Sequence, residues 1–271
     1  MPELPEVETV LRTLETKIKD RKIVDIKIIY KPIVDCPTRT FKKELIGQYF
    51  RDFKRRGKFL LFVMDDITLV SHLRMEGKYY ILSKKDPIDK HTHIIFYLDD
   101  GSELRYHDVR KFGRMELMEK KEDYSLFKEL GPEPFSKDFN INYVKDYLIN
   151  KNKPIKEVLL DQSFVAGIGN IYADEILWDI KVNPLRKANE LSLEEMKSII
   201  SSTRKILKKA IKAGGTTIRS YTSSLGVTGR FQLSLNCHTK DICPNCGNKI
   251  EKIRVGGRGT YYCPLCQKIW E

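Results

Sequence analysis

The chain has 271 residues, 41% of them hydrophobic, which is enough to bury a core and to form two domains or one domain with an added module. Its net charge of +12 favours a polyanionic partner. No apolar run has the length of a membrane span and the N-terminus lacks the apolar centre of a secretory signal, so we expect no membrane association and a cytoplasmic location, with the nucleoid in a bacterial cell. The positive excess lies in residues 1–121 and 216–271, which suggests a binding surface built from both.

The N-terminal part of the chain predicts one helix followed by many short strands. Apolar residues recur at helical spacing behind Pro5 and predict a helix over about residues 5–19. The β-like runs that follow are 22–28, 59–65, 67–75, 78–83, 93–100, 103–108 and 114–120. So many short strands in succession predict a β-sandwich or barrel.

After the sequence GPEP at 131–134, the pattern becomes helical. Short helices are predicted at 142–150, 155–162 and 170–180. The longest helix is predicted from Ser192 to about Ala213, because Ser192 and Glu195 have capping-box spacing and two glycines follow. A final β-like segment carries most of the cysteines. The predicted order is a β domain, a helical domain and a small metal module.

Four of the six cysteines form two C-P-x-C pairs, Cys243 with Cys246 and Cys263 with Cys266. Each pair supplies two thiolates from one tight turn, so the four complete a tetrahedral zinc shell without other ligands. Such a closed shell leaves no position for water or substrate, which predicts one structural Zn²⁺ and no catalytic metal. The alternative is four unrelated reduced cysteines, which this spacing disfavours. No organic cofactor is expected.

The segment between the cysteine pairs, KIEKIRVGGRGTYY, predicts a hairpin with Arg258 near its tip. An arginine flanked by glycines can hold a phosphate while the backbone approaches closely. Alternatively, the basic residues here only offset the negative charge of the four thiolates. The net positive charge of the segment favours phosphate binding.

Seven motifs occur in one order: MPELPEVETV, RRGKFLLF, SHLRMEG, DVRKFG, GIGNIYADEIL, AGGTT and the four-cysteine finger. Together they resemble bacterial formamidopyrimidine-DNA glycosylase along the whole chain. The resemblance implies an α+β multidomain fold, with an N-terminal β-sandwich and its leading helix, a helix-two-turn-helix domain and a C-terminal four-cysteine zinc-finger β-hairpin. The expected segments are a catalytic β-sandwich domain (1–121), a linker (122–138), the helix-two-turn-helix domain (139–215), a lesion-capping loop and connector (216–235) and the zinc finger (236–271).

The same resemblance implies a monomeric, bifunctional DNA glycosylase and AP lyase of base excision repair. It would flip out and remove oxidised purines (8-oxoguanine and formamidopyrimidines) from damaged double-stranded DNA and cleave the strand by β,δ-elimination. Two alternatives remain open. One is the oxidised-pyrimidine branch of the same superfamily, whose N-terminus usually resembles PEGPE where this chain has PELPE. The other is a non-catalytic zinc-finger DNA-binding protein.

By resemblance, Pro2 is the amine that forms a Schiff base with the sugar, and Glu3 is the proton donor and acceptor. A terminal amine is roughly 10% neutral at pH 7 and an ordinary lysine below about 0.1%, so the terminus is the better nucleophile without special burial. Pro and Glu also suit the first turn of a helix, which does not compete with this role. A retained Met1 would turn the Pro2 nitrogen into an amide.

The resemblance also assigns the other site residues. Lys58 matches a second catalytic lysine that contacts phosphate and donates a proton in β-elimination, and Arg258 matches the finger arginine linked to δ-elimination. The remaining matches are DNA contacts: His91, Arg110, Lys151, Asn170, Met75 and Phe112. Met75, Arg110 and Phe112 would fill the gap left by the flipped nucleotide, although Met and Phe in β segments are more often core residues.

Two further local features bear on DNA binding. In GIGN, two glycines and Asn170 precede a helix whose N–H groups can hold a phosphate, which fits the helix-two-turn-helix clamp. The segment LNCHTKD departs from the family's Tyr-Gly-Arg type sequence and brings Cys237 and His238 close to the zinc ligands, which puts a local DNA contact in doubt. We interpret Cys36 and Cys237 as ordinary reduced thiols.

Overall fold

The computed structural model describes residues 1–119, 124–216 and 229–269. The described residues fall into two compact units, one formed by Met1–Lys128 with part of Gly214–Gly229 and the other by Glu129–Ala213 with Arg230–Glu271. Most of the predicted lesion-capping loop, residues 217–228, lies outside the described residues, as does the end of the strand predicted at 114–120. The division into five segments stays a prediction.

The first unit is a β-sandwich preceded by a helix. Its helices are α1 (Leu4–Ile18) and α2 (Thr38–Leu45), and its strands are β1 (Ile23–Ile28), β2 (Asp52–Arg56), β3 (Phe59–Val63), β4 (Ile67–His72), β5 (Lys78–Ser83), β6 (Thr92–Leu98), β7 (Ser102–His107) and β8 (Arg114–Glu119). Short 3₁₀ turns lie at Lys31–Ile33 and Tyr124–Phe127. Two antiparallel sheets form, with strand orders β1-β6-β7-β5 and β2-β3-β4-β8. Apolar residues of α1 and both sheets make one core.

The second unit combines helices with a hairpin. Its helices are α3 (Ile141–Leu148), α4 (Ile155–Leu160), α5 (Asn170–Asp179) and α6 (Leu193–Lys212), with 3₁₀ turns at Ala188–Glu190 and Phe231–Ser234. The antiparallel strands β9 (Glu251–Val255) and β10 (Arg258–Tyr262) carry the finger. The predicted capping box of α6 is confirmed, because the Ser192 hydroxyl accepts from Glu195 N–H and the Glu195 carboxylate accepts from Ser192 N–H.

The predicted fold class is confirmed, and every β-like run contains a strand. Two elements were missed, β2 and α2, because both are rich in charged residues; α2 buries only Phe41 and Leu45. The strand predicted over 67–75 ends at His72. There Arg74 adopts a positive φ of 52° and Gly77 N–H donates to the Leu73 carbonyl, so the chain turns before Met75. Within the described residues, no helix is both long and apolar enough to span a membrane.

Candidate active site and nucleic-acid interface

The start of α1 buries Pro2, Glu3 and Glu6. Glu3 and Glu6 form a capping box in which Glu3 N–H donates to Glu6 Oε2 at 2.9 Å. The other oxygen of Glu6 accepts from Thr216 N–H at 2.7 Å and from the Thr216 hydroxyl at 3.0 Å. Glu6 therefore ties the N-terminus to Thr216. Sequence analysis missed this role, although the spacing of Glu3 and Glu6 at a helix start was visible.

The terminal amine lies in a cluster of ionisable groups. Burial lowers the pKa of the Met1 amine, the carboxylates of Glu3 and Glu6 oppose this shift, and Lys58 adds to it. Pro2, the next residue, is buried, whereas Met1 is exposed. The structure thus brings the region of Pro2, Glu3 and Lys58 together. The Met1 amine therefore loses its proton more easily than a terminal amine in water.

Lys58 lies in the tight turn between β2 and β3, and only 6% of the residue is exposed. This burial excludes a solvated cation at the end of a strand. His72 lies nearby: burial, together with the positive charges of Arg74 and Lys58, lowers the pKa of His72 to about 3. His72 is therefore neutral, and its Nδ1 accepts from Arg74 N–H at 2.9 Å.

The loop after β7 is shaped by one buried carboxylate. Asp108 accepts hydrogen bonds from the backbone N–H groups of Arg110, Phe112 and Gly113, at 2.9, 2.9 and 2.8 Å. Phe112 is left 48% exposed, with the Arg110 guanidinium 4.7 Å from its ring centre. Phe112 is therefore not a core residue, as its residue type alone would suggest, because the loop turns its side chain outward. Sequence analysis did not predict the part played by Asp108.

Met75 and His91 lie near this loop in the same unit. Met75 is half-buried in the turn between β4 and β5. His91 precedes β6, its carbonyl accepts from Asp108 N–H at 3.0 Å, and its ring packs against His107. Tyr106 packs against both the turn that contains Met75 and the loop after β7. Its hydroxyl leaves no room for a Cβ at Gly77, which ends the turn, or at Gly113 in the loop. Both segments therefore pack on one buried side chain.

In the second unit, Arg258 lies where the sequence placed it. It is exposed at the start of β10, opposite Val255 and after the Gly256–Gly257 turn. The Asn170 side chain donates from Nδ2 to the Gly259 carbonyl at 2.8 Å, so the first residue of α5 is bound to the residue after Arg258. Lys151 lies just after α3, with its ammonium 4.5 Å from the centre of the Tyr147 ring.

A buried ionic network supports the finger. The Lys156 ammonium pairs with Asp174 and donates to the Asn170 carbonyl at 3.0 Å. The other oxygen of Asp174 lies 2.6 Å from His238 Nδ1. Glu175 accepts from three successive backbone N–H groups, those of residues 236–238. The unusual segment LNCHTKD is therefore anchored to α5, a role that sequence analysis did not assign.

Cys237 takes part in the same packing. Its thiol donates to the Tyr261 carbonyl at 3.1 Å, and burial raises its pKa strongly. A high thiol pKa leaves little reactive thiolate. This agrees with our interpretation of Cys237 as an ordinary reduced thiol.

The four finger cysteines fit a zinc ion. Their sulfur atoms all lie within 4.8 Å of one another, with Cys243 and Cys266 at 3.9 Å and Cys246 and Cys263 at 3.5 Å. Zinc with bonds of about 2.3 Å holds tetrahedral sulfurs roughly 3.8 Å apart. The Trp178 indole N–H donates to Cys243 Sγ at 3.4 Å, a contact that favours the thiolate that zinc requires. The predicted structural zinc site is confirmed.

Three family models match the chain in order. They describe the formamidopyrimidine-DNA glycosylase N-terminal domain (residues 1–115), the formamidopyrimidine-DNA glycosylase H2TH domain (residues 130–222) and a zinc finger found in FPG and IleRS (residues 242–269). A formamidopyrimidine-DNA glycosylase of Streptococcus mutans is 48% identical over 99% of this chain and 100% of that protein. The chain belongs to the formamidopyrimidine-DNA glycosylase family.

Other members of the formamidopyrimidine-DNA glycosylase family agree in sequence and structure. A Bacillus cereus formamidopyrimidine-DNA glycosylase is 47% identical, and the alignment covers 98% of this chain and 99% of that protein. The Lactococcus lactis Fpg mutant G226P, solved with DNA containing Fapy-dG, has a TM-score of 0.94 at 44% identity and covers 98% of this chain and 100% of its own. Lactococcus lactis Fpg, solved with DNA containing an abasic site, has a TM-score of 0.93 at 44% identity. The match covers 98% of this chain and 99% of the Lactococcus lactis chain.

Proposed function

We propose that this chain is a DNA glycosylase of base excision repair that removes oxidised purines, including 8-oxoguanine and formamidopyrimidines, and that it also has AP lyase activity. The observation that carries the proposal is the buried cluster at the start of α1, where a terminal amine would lie beside Glu3 and Lys58. The solved Lactococcus lactis relatives, bound to DNA with Fapy-dG or an abasic site, support the class of substrate. Nucleoid association is part of the proposal.

The chemistry begins when Met1 has been removed. The neutral Pro2 nitrogen attacks C1′ of the damaged nucleotide, the glycosidic bond breaks, and the base leaves with the bonding electrons and takes up a proton. The nitrogen loses its proton, the sugar ring opens, and a cationic Schiff base forms. Glu3, held beside Pro2 by the capping box, gives and takes protons in these steps.

Strand cleavage follows from the Schiff base, which acidifies the protons at C2′. Loss of one proton expels the 3′ phosphate, and a second elimination expels the 5′ phosphate. We propose that Lys58 donates a proton during the first elimination and that Arg258 holds the phosphate at the lesion for the second. Water then releases the sugar fragment and restores the Pro2 amine.

DNA binding is assigned to residues of both units. Met75, Arg110 and Phe112 are proposed to fill the space left by the flipped nucleotide, and the outward position of Phe112 supports this. His91, Lys151 and Asn170 are proposed to contact the DNA backbone. Because Asn170 Nδ2 already donates to Gly259, we expect Asn170 to act partly by fixing the position of Arg258.

Borohydride trapping tests the proposed function. Reduction converts a Schiff base into a stable bond, so wild-type protein without Met1 should become covalently fixed to DNA containing 8-oxoguanine or an abasic site. DNA binding without any trapped complex would instead identify a non-catalytic DNA-binding protein. A panel of lesions separates the two enzyme classes: faster release of oxidised pyrimidines than of 8-oxoguanine would contradict the purine assignment.

Replacing Lys58 and Arg258 should impair different steps. Arg258→Ala should weaken binding to damaged and undamaged duplexes alike and reduce the salt dependence by about one phosphate contact. Lys58→Ala should mainly slow release of 8-oxoguanine and the eliminations, with Pro2 still trapped on a pre-formed abasic site. Arg254→Ala, which removes an equal charge from β9 of the same hairpin, is the control and should have a smaller effect.

The measurements are single-turnover cleavage, trapping yield and dissociation constants at several salt concentrations. If Lys58→Ala reduced trapping equally on abasic and 8-oxoguanine DNA, Lys58 would only anchor phosphate and its catalytic role would be withdrawn.

A further inference from the structure

One arginine connects α1 to the turn that contains Lys58. Arg55 lies in β2, and its side chain is only 10% exposed. Its Nε donates to Glu8 Oε2 in α1 at 2.8 Å, and its Nη1 donates to the Gly57 carbonyl at 3.0 Å. A single guanidinium thus contacts both the helix that begins beside Pro2 and the residue before Lys58. No role has been assigned to Arg55 or Glu8 in the proposed mechanism.

The turn between β2 and β3 consists of two residues, one of which is Lys58. Strand β2 ends at Arg56 and β3 begins at Phe59, so Gly57 and Lys58 are the two residues between paired strands. Gly57 adopts a positive φ of 55°, a conformation that glycine tolerates but does not fix. The hydrogen bond from Arg55 to the Gly57 carbonyl restricts the orientation of this peptide, and so the backbone from which the Lys58 side chain extends.

Glu8 has a second arginine partner that provides a comparison. Arg12 donates to Glu8 Oε1 at 2.8 Å, but the pair lies within α1 at i,i+4 spacing and the Arg12 side chain is 67% exposed. Although burial opposes it, hydrogen bonds from both arginines lower the pKa of Glu8, which therefore stays anionic. Arg12 and Arg55 share one carboxylate, yet only Arg55 joins it to the turn.

We propose that Arg55 is a positioning residue, which holds Lys58 at a fixed place relative to the Pro2 and Glu3 end of α1 by bonding Glu8 and the Gly57 carbonyl together. The guanidinium suits this task because its planar fork presents separate donors to the two acceptors, whereas a lysine offers one point charge. The inference rests on the proposed function, since it takes Pro2 and Lys58 as the groups that must act on one nucleotide.

The kinetic test compares Arg55→Met, Arg55→Lys and the control Arg12→Met. At saturating enzyme, Arg55→Met should lower the single-turnover rate of cleavage at a pre-formed abasic site at least tenfold, with affinity for undamaged duplex changed less than twofold. Arg55→Lys should recover part of this rate, because it keeps the pair with Glu8 but not the full fork. Arg12→Met should stay within twofold of the wild type in both measurements.

A second measurement does not depend on activity. In DNA-free protein, acetylation of Lys58 by an activated ester, followed by mass spectrometry, should be at least threefold faster in Arg55→Met than in wild type, and unchanged in Arg12→Met. Circular dichroism defines a temperature at which each variant is folded. If Arg55→Met does not fold, Arg55→Lys and Glu8→Gln take its place, with smaller changes of the same sign expected.

The outcomes separate the two proposals. Unchanged cleavage and unchanged Lys58 acetylation in Arg55→Met would overturn the positioning role, as would a loss of cleavage that Arg12→Met reproduces. If wild-type protein is never trapped on damaged DNA, the proposed function fails, and the acetylation rates still decide whether Arg55 holds Lys58.

Discussion

Protein that retains Met1, or that carries any added residue before Pro2, is expected to lose both borohydride trapping and strand cleavage by at least about a thousandfold. The reason is chemical: a preceding residue converts the Pro2 nitrogen into an amide, whose lone pair is delocalised and cannot attack C1′. Mass spectrometry of the N-terminus, with trapping on abasic-site DNA, measures the effect.

The matched control is the same added residue placed at the C-terminus, which should leave trapping within twofold of the wild type. Affinity for undamaged duplex should also change little in the N-terminally extended protein, because the proposed DNA contacts are side chains elsewhere. Full cleavage by a protein shown to retain Met1 would remove Pro2 as the nucleophile and direct attention to lysine amines.

The second large effect concerns the metal. Cys263→Ser is expected to lose the zinc ion and at least about tenfold in DNA affinity together, while the β-sandwich remains folded. The finger has a small core of Cys237, Cys243, Ile250 and Cys263 with a few partly buried neighbours, so its folding depends on metal binding. Without zinc, the hairpin that presents Arg258 loses its order.

Zinc content by atomic emission, duplex affinity and circular dichroism measure this prediction. Cys36→Ser, which changes a cysteine in the β-sandwich unit outside the finger, should retain a full equivalent of zinc and normal affinity. A full equivalent of zinc in Cys263→Ser would show that three thiolates suffice, and the structural argument would then be wrong.

Local sequence pattern predicted the elements whose burial is regular. The strands of the sandwich have alternating or continuous apolar residues, α6 has a capping box, and the finger cysteines have the spacing of zinc ligands. The predictions of these features were therefore correct. Strand β2, DFKRR, has one apolar residue and could not be recognised by alternation. It forms because β3 pairs with it along its whole length, a tertiary cause that no local pattern contains.

The candidate site was predicted less completely, for a related reason. Contacts between residues distant in sequence, such as Glu6 with Thr216 and Lys156 with Asp174, connect buried charged groups that periodicity assigns to the surface. The roles of Pro2, Glu3, Lys58 and Arg258 came from resemblance and stay predictions until the variants are measured. The geometry adds the groups that hold them in place, which resemblance did not supply.

The packing of two segments on Tyr106 has a consequence for the kinetics of lesion search. The turn with Met75 and the loop with Arg110 and Phe112 both rest on this buried ring, and Asp108 binds the loop backbone, so the proposed DNA contacts extend from closely packed segments. Little conformational entropy is then lost on contact. Discrimination between damaged and undamaged base pairs would then depend on the DNA, because a mispaired or damaged base unstacks most easily. On this proposal, the contact with DNA lasts longest where a damaged base weakens the stacking of the duplex.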